Sequence, residues 1–183
     1  MRKVVFYGAI SLDGYLADQQ DDLQWLFDTD LAGESTYADF EQQVDTFVMG
    51  RKTYEETKKI MAGVELYPGQ EKVVFTHQAL APDKDVTYVS GDVEKIMQEY
   101  RQRDGKAIWI IGGGSLLKPL LEADLIDEFW IQIAPVLLGQ GKRLFLPGDY
   151  GGRLELVETT QMGELTELHL KRKVSGENSC KSN

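Results

Sequence analysis

Cysteine and histidine are scarce in this sequence, and long apolar runs are missing. It has one cysteine, Cys180, and two histidines in 183 residues, which excludes an intramolecular disulfide framework and is too few for most zinc sites. No apolar run reaches the roughly 18–20 residues that span a bilayer. The apolar stretch after Met1 soon meets Asp13, unlike a signal peptide. We therefore expect a soluble, cytoplasmic protein with no metal site.

Basic residues are also in the minority. Lysine and arginine total 20 against 30 acidic residues, for a net charge of −10 and a pI near 4.7. This balance argues against a nucleic-acid partner, which would need a clustered basic surface. It does not argue against an anionic small molecule, because a few local donors outweigh a distant negative field.

The composition that remains is that of one globular domain. Hydrophobic residues make up 42% and charged residues 27% of the chain, and neither a repeat nor a low-complexity linker divides it. We expect a single domain over residues 1–174. Residues 175–183 are predicted to be a polar, disordered tail.

Hydrophobic patterning predicts strands that alternate with helices until a closing hairpin. Strands are expected at 2–10, 46–49, 72–76, 86–89, 107–111 and 129–136, and the hairpin at 154–161 and 164–174. Helices are expected from Ser35 or Thr36 through Val44, at 52–61, at 92–103, and, after Gly112–Gly114, through Glu122 with Pro119 in an early turn. Residues 11–22 are expected to form a loop. The pattern predicts an α/β domain whose mostly parallel sheet has an antiparallel C-terminal hairpin.

Two strand-to-helix turns suit phosphate groups. In the first, Gly112-Gly113-Gly114-Ser115 allows backbone N–H groups to approach a ligand at a helix start. The second, Gly50-Arg51-Lys52-Thr53, places two cations where the helix dipole disfavours them, which fits a bound phosphate. A ligand-free tight turn and two solvated cations are the plain alternatives. Neither turn has the Walker or Rossmann pattern, so together they indicate another dinucleotide-binding fold.

Four segments occur in an order that matches one known family: Ser11–Ala17 (SLDGYLA), Val48–Glu55 (VMGRKTYE), Ile111–Leu117 (IGGGSLL), and Leu125–Phe145, which begins LIDE and contains IAPVLLGQGKRLF. With these segments the chain resembles the dihydrofolate reductase superfamily, and within it the stand-alone relatives of the riboflavin-biosynthesis reductase domain. The resemblance implies a three-layer α/β/α sandwich, NADPH as the cofactor, and a homodimer that pairs through sheet edges.

The resemblance also implies roles for cofactor-binding residues. Ala9, Leu16 and Ala17 would line the nicotinamide, under a flap formed by residues 13–24. Arg51 would favour the 2′-phosphate that distinguishes NADPH from NADH, and Thr76 would lie near the adenosine with His77 beside it. The phosphates would be held by Gly50, Arg51, Lys52, Thr53, Gly112, Gly113, Gly114, Ser115 and Leu116.

The substrate half of the site is less determined. Dihydrofolate reductases carry a carboxylate on the helix before the Gly50 turn, and counting back on that pattern reaches Glu34, with Asp39 and Glu41 as rivals. A solvated helix acid is an equal alternative for each. The riboflavin reductases carry arginines on that helix, but residues 36–45 contain no arginine or lysine.

Two further features belong to this half. Asp13 is either an acid that orients a substrate amide or amine, or simply the first residue of an Asp-Gly turn. Trp25 and Leu26, with Phe27 beside them, form either an aromatic wall over a flat heterocycle or the base of the flap.

The sequence thus predicts an NADPH-dependent reductase of a small heterocyclic substrate, with Asp13 and Glu34 as catalytic candidates that would supply a proton through water. By resemblance its activity is that of a 5-amino-6-(5-phosphoribosylamino)uracil reductase, with dihydrofolate or pterin reduction second. The alternative of another class is a non-catalytic protein that binds or senses NADPH.

Overall fold

A computed structural model of the chain describes residues 1–173. Its strands are β1 (Val4–Ser11), β2 (Tyr15–Ala17), β3 (Val44–Gly50), β4 (Glu71–Phe75), β5 (Val86–Val89), β6 (Ala107–Ile111), β7 (Glu128–Ala134), β8 (Lys142–Arg143), β9 (Leu154–Met162) and β10 (Leu165–Arg172). Its helices are α1 (Gln24–Phe27), α2 (Tyr37–Glu41), α3 (Arg51–Ile60), α4 (Val93–Gln102) and α5 (Gly114–Glu122). No helix among these residues is long and apolar enough to cross a membrane.

Eight strands form one sheet in the order β5-β4-β3-β6-β1-β7-β10-β9. The strands from β5 to β7 pair in parallel. β10 runs antiparallel to β7 and forms a hairpin with β9. The remaining two strands, β2 and β8, pair with each other in a separate ribbon. This topology confirms the predicted α/β fold with a mostly parallel sheet and an antiparallel C-terminal hairpin.

The central strands are apolar on both sides because helices cover both faces of the sheet. On one face, which we call the α5 face, Phe6 and Ile110 pack with residues of α4 and α5 such as Leu117. On the other, the α2 face, Trp109 packs with Phe40 of α2 and with other aromatic side chains. Successive strand residues point to opposite faces. A strand buried on both sides therefore shows no polar alternation, as the run Ala107–Ile111 predicted.

The elements differ from the sequence predictions in a few places. The first predicted helix is wrong at its end: α2 stops at Glu41 and Val44 begins β3, where it pairs with Ala107 and is only 1% exposed. Burial of this β-branched side chain in the sheet outweighs the helical pattern. Pro119 lies in the middle of α5 rather than in its first turn, where burial of the helix against the α5 face compensates for the lost N–H. The predicted strand end at 174 and the tail lie outside the described residues.

The patterning missed three short elements. β2, β8 and α1 contain two to four residues each, which is too few to show a period. β2 falls within the loop predicted over residues 11–22. Two of them, β2 and β8, nevertheless lie beside the candidate site, as described below.

Candidate functional site

The two glycine turns lie side by side at the carboxyl edge of the sheet. β3 and β6 are parallel neighbours, and the turns that follow them begin α3 and α5. α3 packs on the α2 face through Tyr54, whereas α5 packs on the opposite face through Leu117 and Leu120. The chain then continues to β4 on one side and to β7 on the other. Such a divergence is the topological switch point at which open α/β sheets bind ligands.

The two turns are in direct contact. Gly112 has a φ of +109°, and a Cβ built on it would lie 2.5 Å from Oγ1 of Thr53 at the start of α3. A Cβ on Gly114 would lie 2.7 Å from the carbonyl oxygens of Arg143 and Leu144. At both positions glycine is required because another part of the chain approaches the backbone closely. The contacts bring the starts of α3 and α5 and the strand β8 together at the carboxyl edge of the sheet.

The N-terminal ends of α3 and α5 at this edge of the sheet suit anionic groups. Gly50 and Gly113 are the N-cap residues, both extended, and no side chain among residues 1–173 caps either helix. A Cβ on either glycine would meet no heavy atom of residues 1–173 within 4 Å, so the described part of the chain leaves room for a ligand to approach the backbone there. Ser115 is exposed in the first turn of α5. Free N–H groups, the helix dipole and open approach together fit phosphate oxygens.

Both cations of the Gly50 turn are held by carboxylates of the chain itself. The Arg51 guanidinium Nη1 donates to the two carboxylate oxygens of Glu55 at 2.7 and 2.6 Å. The Lys52 ammonium lies 2.5 Å from Asp21 of the flap, which is also 3.7 Å from the Lys142 ammonium. The hydrogen bond from Lys52 lowers the pKa of Asp21. A phosphate bound at this turn would therefore compete with Glu55 and Asp21.

Asp13 anchors the base of the flap. Its carboxylate accepts hydrogen bonds from the Ser11 hydroxyl at 2.6 Å and from the backbone N–H groups of Leu138 and Gly139 at 3.1 and 2.6 Å. The Ser11 bond first, and then the two backbone bonds, lower the pKa of Asp13 to about 2. Both oxygens are thus engaged within the protein, which ties the turn after β1 to the loop after β7.

The predicted nicotinamide-lining residues lie close to one another in the fold. Ala9 is near the carboxyl end of β1, while Leu16 and Ala17 belong to β2, with Leu16 partly buried against the core. β2 pairs with β8, so the Arg143 guanidinium stacks 4.7 Å from the Tyr15 ring and donates to its hydroxyl at 3.0 Å. Sequence analysis missed Arg143, although two adjacent cations after a Gly-Gln-Gly segment of an acidic chain are a usable signal.

The residues predicted to lie near the adenosine and over the substrate are in different parts of the fold. Thr76 follows β4, next to β3, and its hydroxyl accepts from the Gln78 N–H at 3.0 Å. His77 lies 3.3 Å from the Ser90 hydroxyl. Trp25 and Leu26 are partly buried in α1, and the indole N–H of Trp25 is buried without a hydrogen-bond partner among residues 1–173.

None of the acids predicted near α2 is buried. Glu34 and Asp39 are exposed, and Glu41 accepts from the Tyr37 hydroxyl at 3.2 Å on the partly buried helix face. The carboxylate that reaches the start of α2 is Glu167 of β10, only 3% exposed, which accepts from the Thr36 hydroxyl at 2.8 Å.

Glu167 belongs to a buried polar network. The side-chain amide of Gln132 donates to Glu167 at 2.9 Å and to the Tyr7 hydroxyl at 2.5 Å, and Tyr7 is 3.2 Å from the Thr36 hydroxyl. Burial raises the pKa of Tyr7, so it stays protonated. Sequence analysis missed Tyr7, Gln132 and Glu167, because each looks like an ordinary strand residue.

Two other features lie outside this site. A cavity at the amino ends of β1 and β7, lined in part by Lys3, Glu128 and Trp130, is at the edge of the sheet opposite the glycine turns. Ligands of open α/β sheets bind at the carboxyl edge, so this cavity is not part of the candidate site.

Among residues 1–173, no group of three or more His, Cys, Asp or Glu side chains could hold a metal ion.

Comparison with known proteins identifies the family of the chain. A family model described as the RibD C-terminal domain matches residues 2–168. The chain is 37% identical over 174 residues to the uncharacterized protein YwjB of Bacillus subtilis (strain 168), covering 93% of this chain and 98% of that one. Both the matched family and the relative span nearly the whole domain.

Two solved structures are similar in fold. A putative riboflavin biosynthesis protein from Shewanella sp. PV-4 has a TM-score of 0.83 at 26% identity, covering 94% of this chain and 99% of that one. Dihydrofolate reductase from Enterococcus faecalis, complexed with NADP(H), has a TM-score of 0.66 at 17% identity, covering 94% and 97%. The second likeness shows a dihydrofolate reductase-like fold. The chain therefore belongs to the RibD C-terminal domain family.

Proposed function

We propose that this protein is an NADPH-dependent reductase. The observation that carries the proposal is the pair of uncapped, glycine-marked helix starts that meet at the β3–β6 switch point, with Arg51 at one of them. Two phosphate-binding turns in contact match the pyrophosphate of a dinucleotide, and an adjacent guanidinium adds a partner for a further phosphate.

Cofactor binding is assigned to the carboxyl edge of the sheet. Backbone N–H groups of the two turns hold the pyrophosphate, with Thr53, Ser115 and Leu116 beside them. Arg51 binds the 2′-phosphate when it leaves Glu55, and Thr76 lies toward the adenosine. The nicotinamide lies against Ala9 and the two β2 residues Leu16 and Ala17. Lys52 contributes positive charge near the phosphates.

The chain's residues orient the reactants and exclude water, while the bound dinucleotide supplies the hydride. Asp21 closes the flap over the Gly50 turn, and Asp13 fixes its base. We do not place the proton donor at Asp13 or Glu34, because the first is fully engaged and the second is exposed. A water molecule beside the substrate is the proposed source.

Family membership favours a substrate of the riboflavin pathway. We propose activity like that of 5-amino-6-(5-phosphoribosylamino)uracil reductase, with hydride delivered to an opened ribose or to a carbon–nitrogen double bond. Dihydrofolate or pterin reduction is the second candidate, which the buried carboxylate of Glu167 beside α2 favours.

The test has two arms. Thermal unfolding with NADPH or NADH examines the cofactor, and we expect NADPH to stabilise the protein more. Loss of NADPH absorbance with the phosphoribosylaminouracil, with dihydrofolate and with simple aldehydes examines the reaction. Stabilisation by NADPH without turnover of any substrate would instead support the non-catalytic alternative, and equal stabilisation by both cofactors would contradict the proposed specificity.

A further inference from the structure

The two most buried carboxylates of the described chain differ in their partners. Glu128, 6% exposed, is paired with the Lys3 ammonium at 2.5 Å and with His169 at 2.9 Å. Glu167, 3% exposed, accepts hydrogen bonds only from neutral groups, and none of the ion pairs among residues 1–173 includes it. A buried carboxylate without a cation is costly to keep ionised, so its presence calls for an explanation.

The bonds to Glu167 fix it while leaving one oxygen available. The Thr36 hydroxyl and the Gln132 amide both donate to Oε2, and Oε1 accepts no hydrogen bond from residues 1–173. The remaining hydroxyl of the network, on Tyr7, is itself hydrogen-bonded to Thr36 and Gln132. The carboxylate is therefore held in a defined orientation with unused acceptor capacity.

Register places Glu167 beside the proposed reaction site. Ala9 is paired with Gln132 across β1 and β7, and Gln132 with Glu167 across β7 and β10. Residues directly opposite each other on adjacent strands share a face, and two strand spacings are roughly 10 Å. Flat aromatic side chains of the α2 face, including Phe40 stacked on Tyr7 at 4.4 Å, lie next to this row. Glu167 is thus roughly 10 Å from Ala9, the residue proposed to line the nicotinamide, a distance similar to the width of a heterocycle.

We propose that Glu167 binds a cationic, N–H-bearing part of the substrate, so that the site takes a protonated carbon–nitrogen double bond in a planar group rather than a neutral carbonyl. The inference rests on the proposed reductase function and narrows its substrate class. In the reaction, hydride from the dinucleotide forms the new C–H bond while the C=N π pair becomes the nitrogen lone pair. The iminium is reduced to an amine and the dinucleotide is oxidised.

A matched pair of probes tests the charge preference. Benzamidinium is flat and cationic, and benzamide has nearly the same shape without the charge. With NADPH present, we expect the protein to bind benzamidine at least roughly tenfold more tightly than benzamide, because a charge-assisted hydrogen bond to a buried carboxylate contributes about tenfold to a hundredfold in affinity. Equal affinity for the two probes would overturn the proposal.

Two variants test whether the preference for benzamidine is due to Glu167. Glu167→Gln keeps the shape and an acceptor for Thr36, so we expect it to remove the preference for benzamidine and to leave NADPH affinity within about twofold. Glu155→Gln neutralises an exposed acid of β9 and should change neither. If Glu167→Gln retains the full preference, the cation binds elsewhere and the assignment is wrong.

A measurement on the unmutated protein covers the case in which the variant fails to fold. Benzamidine should shift the NMR resonances of the Gln132 side-chain amide, and benzamide should not. Resonances that stay in place with saturating benzamidine would overturn the proposal. Because NADPH binding is measured separately, a protein that binds no NADPH refutes the proposed function, whereas one that binds NADPH without charge preference refutes only the role of Glu167.

Discussion

At the scale of single residues, the neighbours Gly112 and Gly113 differ in their tolerance for a side chain. Gly112 has a positive φ and lies against Thr53, whereas Gly113 has a φ of −65° and open space where a Cβ would be. We expect Gly112→Ala to lower the free energy of unfolding by about 1–3 kcal/mol through strain and contact. Gly113→Ala should leave stability almost unchanged and weaken NADPH binding, because its methyl group occupies the phosphate approach.

Thermal unfolding measures the stability of both variants, and titration with NADPH measures cofactor binding. Each variant is the control for the other: Gly112→Ala should lower stability, whereas Gly113→Ala should lower NADPH affinity without that loss of stability. A Gly113→Ala protein that binds NADPH as tightly as the unmutated protein would show that phosphate does not approach there.

Arg51 is the residue that we expect to select NADPH over NADH. Its guanidinium is 35% exposed and paired with Glu55. Arg51→Ala should weaken NADPH binding by about tenfold to a hundredfold, the contribution of a charge-assisted bond, and leave NADH binding nearly unchanged. Glu55→Gln, which frees the guanidinium, is the matched control and should bind NADPH as well as or better than the unmutated protein. Equal weakening of both cofactors by Arg51→Ala, measured by titration calorimetry, would place the 2′-phosphate elsewhere.

At the scale of elements, the outer part of the flap, residues 18–22, is held to the sheet edge by charges, whereas Tyr15 and Ala17 at its base are buried. Asp21, at the tip, contacts the ammonium groups of Lys52 on α3 and Lys142 on β8. Exposed ion pairs contribute at most about 1 kcal/mol. We therefore expect these outer residues to open without unfolding the rest of the structure, and a phosphate at Lys52 to change the balance between closed and open forms.

We expect Asp21→Asn to speed amide hydrogen exchange over residues 18–22 without changing the thermal midpoint of the domain. Loss of the charge removes the contact to both lysines, while the core beneath the flap is untouched. Asp22→Asn is the control, because Asp22 caps the Gln24 N–H and an amide oxygen can still do so. Unchanged exchange in Asp21→Asn would mean that contacts other than these ion pairs hold the flap.

At the scale of the whole molecule, several carboxylates couple stability to pH. Hydrogen bonds lower the pKa of Asp13 to about 2, and those from Lys58 and Tyr54 lower that of Asp83 to about 2. The unfolded chain, with ordinary values near ~3.9, then takes up protons first as the pH falls. These groups therefore stabilise the fold fully above pH ~4, and their contribution is lost as the pH falls toward ~2.

The measurement is the urea midpoint as a function of pH. It should fall over this acidic range, and the fall should be shallower in Asp83→Asn than in the unmutated protein. Asp28→Asn is the control, because this exposed acid accepts a single side-chain bond among residues 1–173, from Gln24. An identical slope in Asp83→Asn would contradict the assigned coupling.

We also propose that the protein is a homodimer that pairs through the β9 edge. Leu154, Leu156 and Val157 of that edge strand are 39%, 57% and 43% exposed, and an edge with exposed apolar side chains favours association. Light scattering should give a mass near twice 20.7 kDa. Leu156→Glu should give a monomer, whereas Val64→Glu, at another exposed apolar residue, should not. A monomeric unmutated protein would disprove the dimer.

The sequence by itself determined the sheet and the family, and it predicts the cofactor half of the proposed site. The long buried strands and helices have strong periods, and the two turns are local: strand end, glycine and helix start adjoin in the chain. The glycines at positions 112 and 114 also indicate, in the sequence itself, that other parts of the chain lie close to the backbone there. Short elements such as β2 and α1 lacked enough residues to show a period.

Only the tertiary structure shows the polar network that we propose as the substrate half. Thr36 and Glu167 are 131 residues apart, and Tyr7 and Gln132 are 125 apart, so no local spacing rule relates them. They meet because β10 joins the sheet antiparallel to β7, which brings its side chains level with β1. Phosphate turns depend on consecutive residues and are visible in sequence, whereas a buried carboxylate and its hydrogen-bond partners depend on which strands become neighbours.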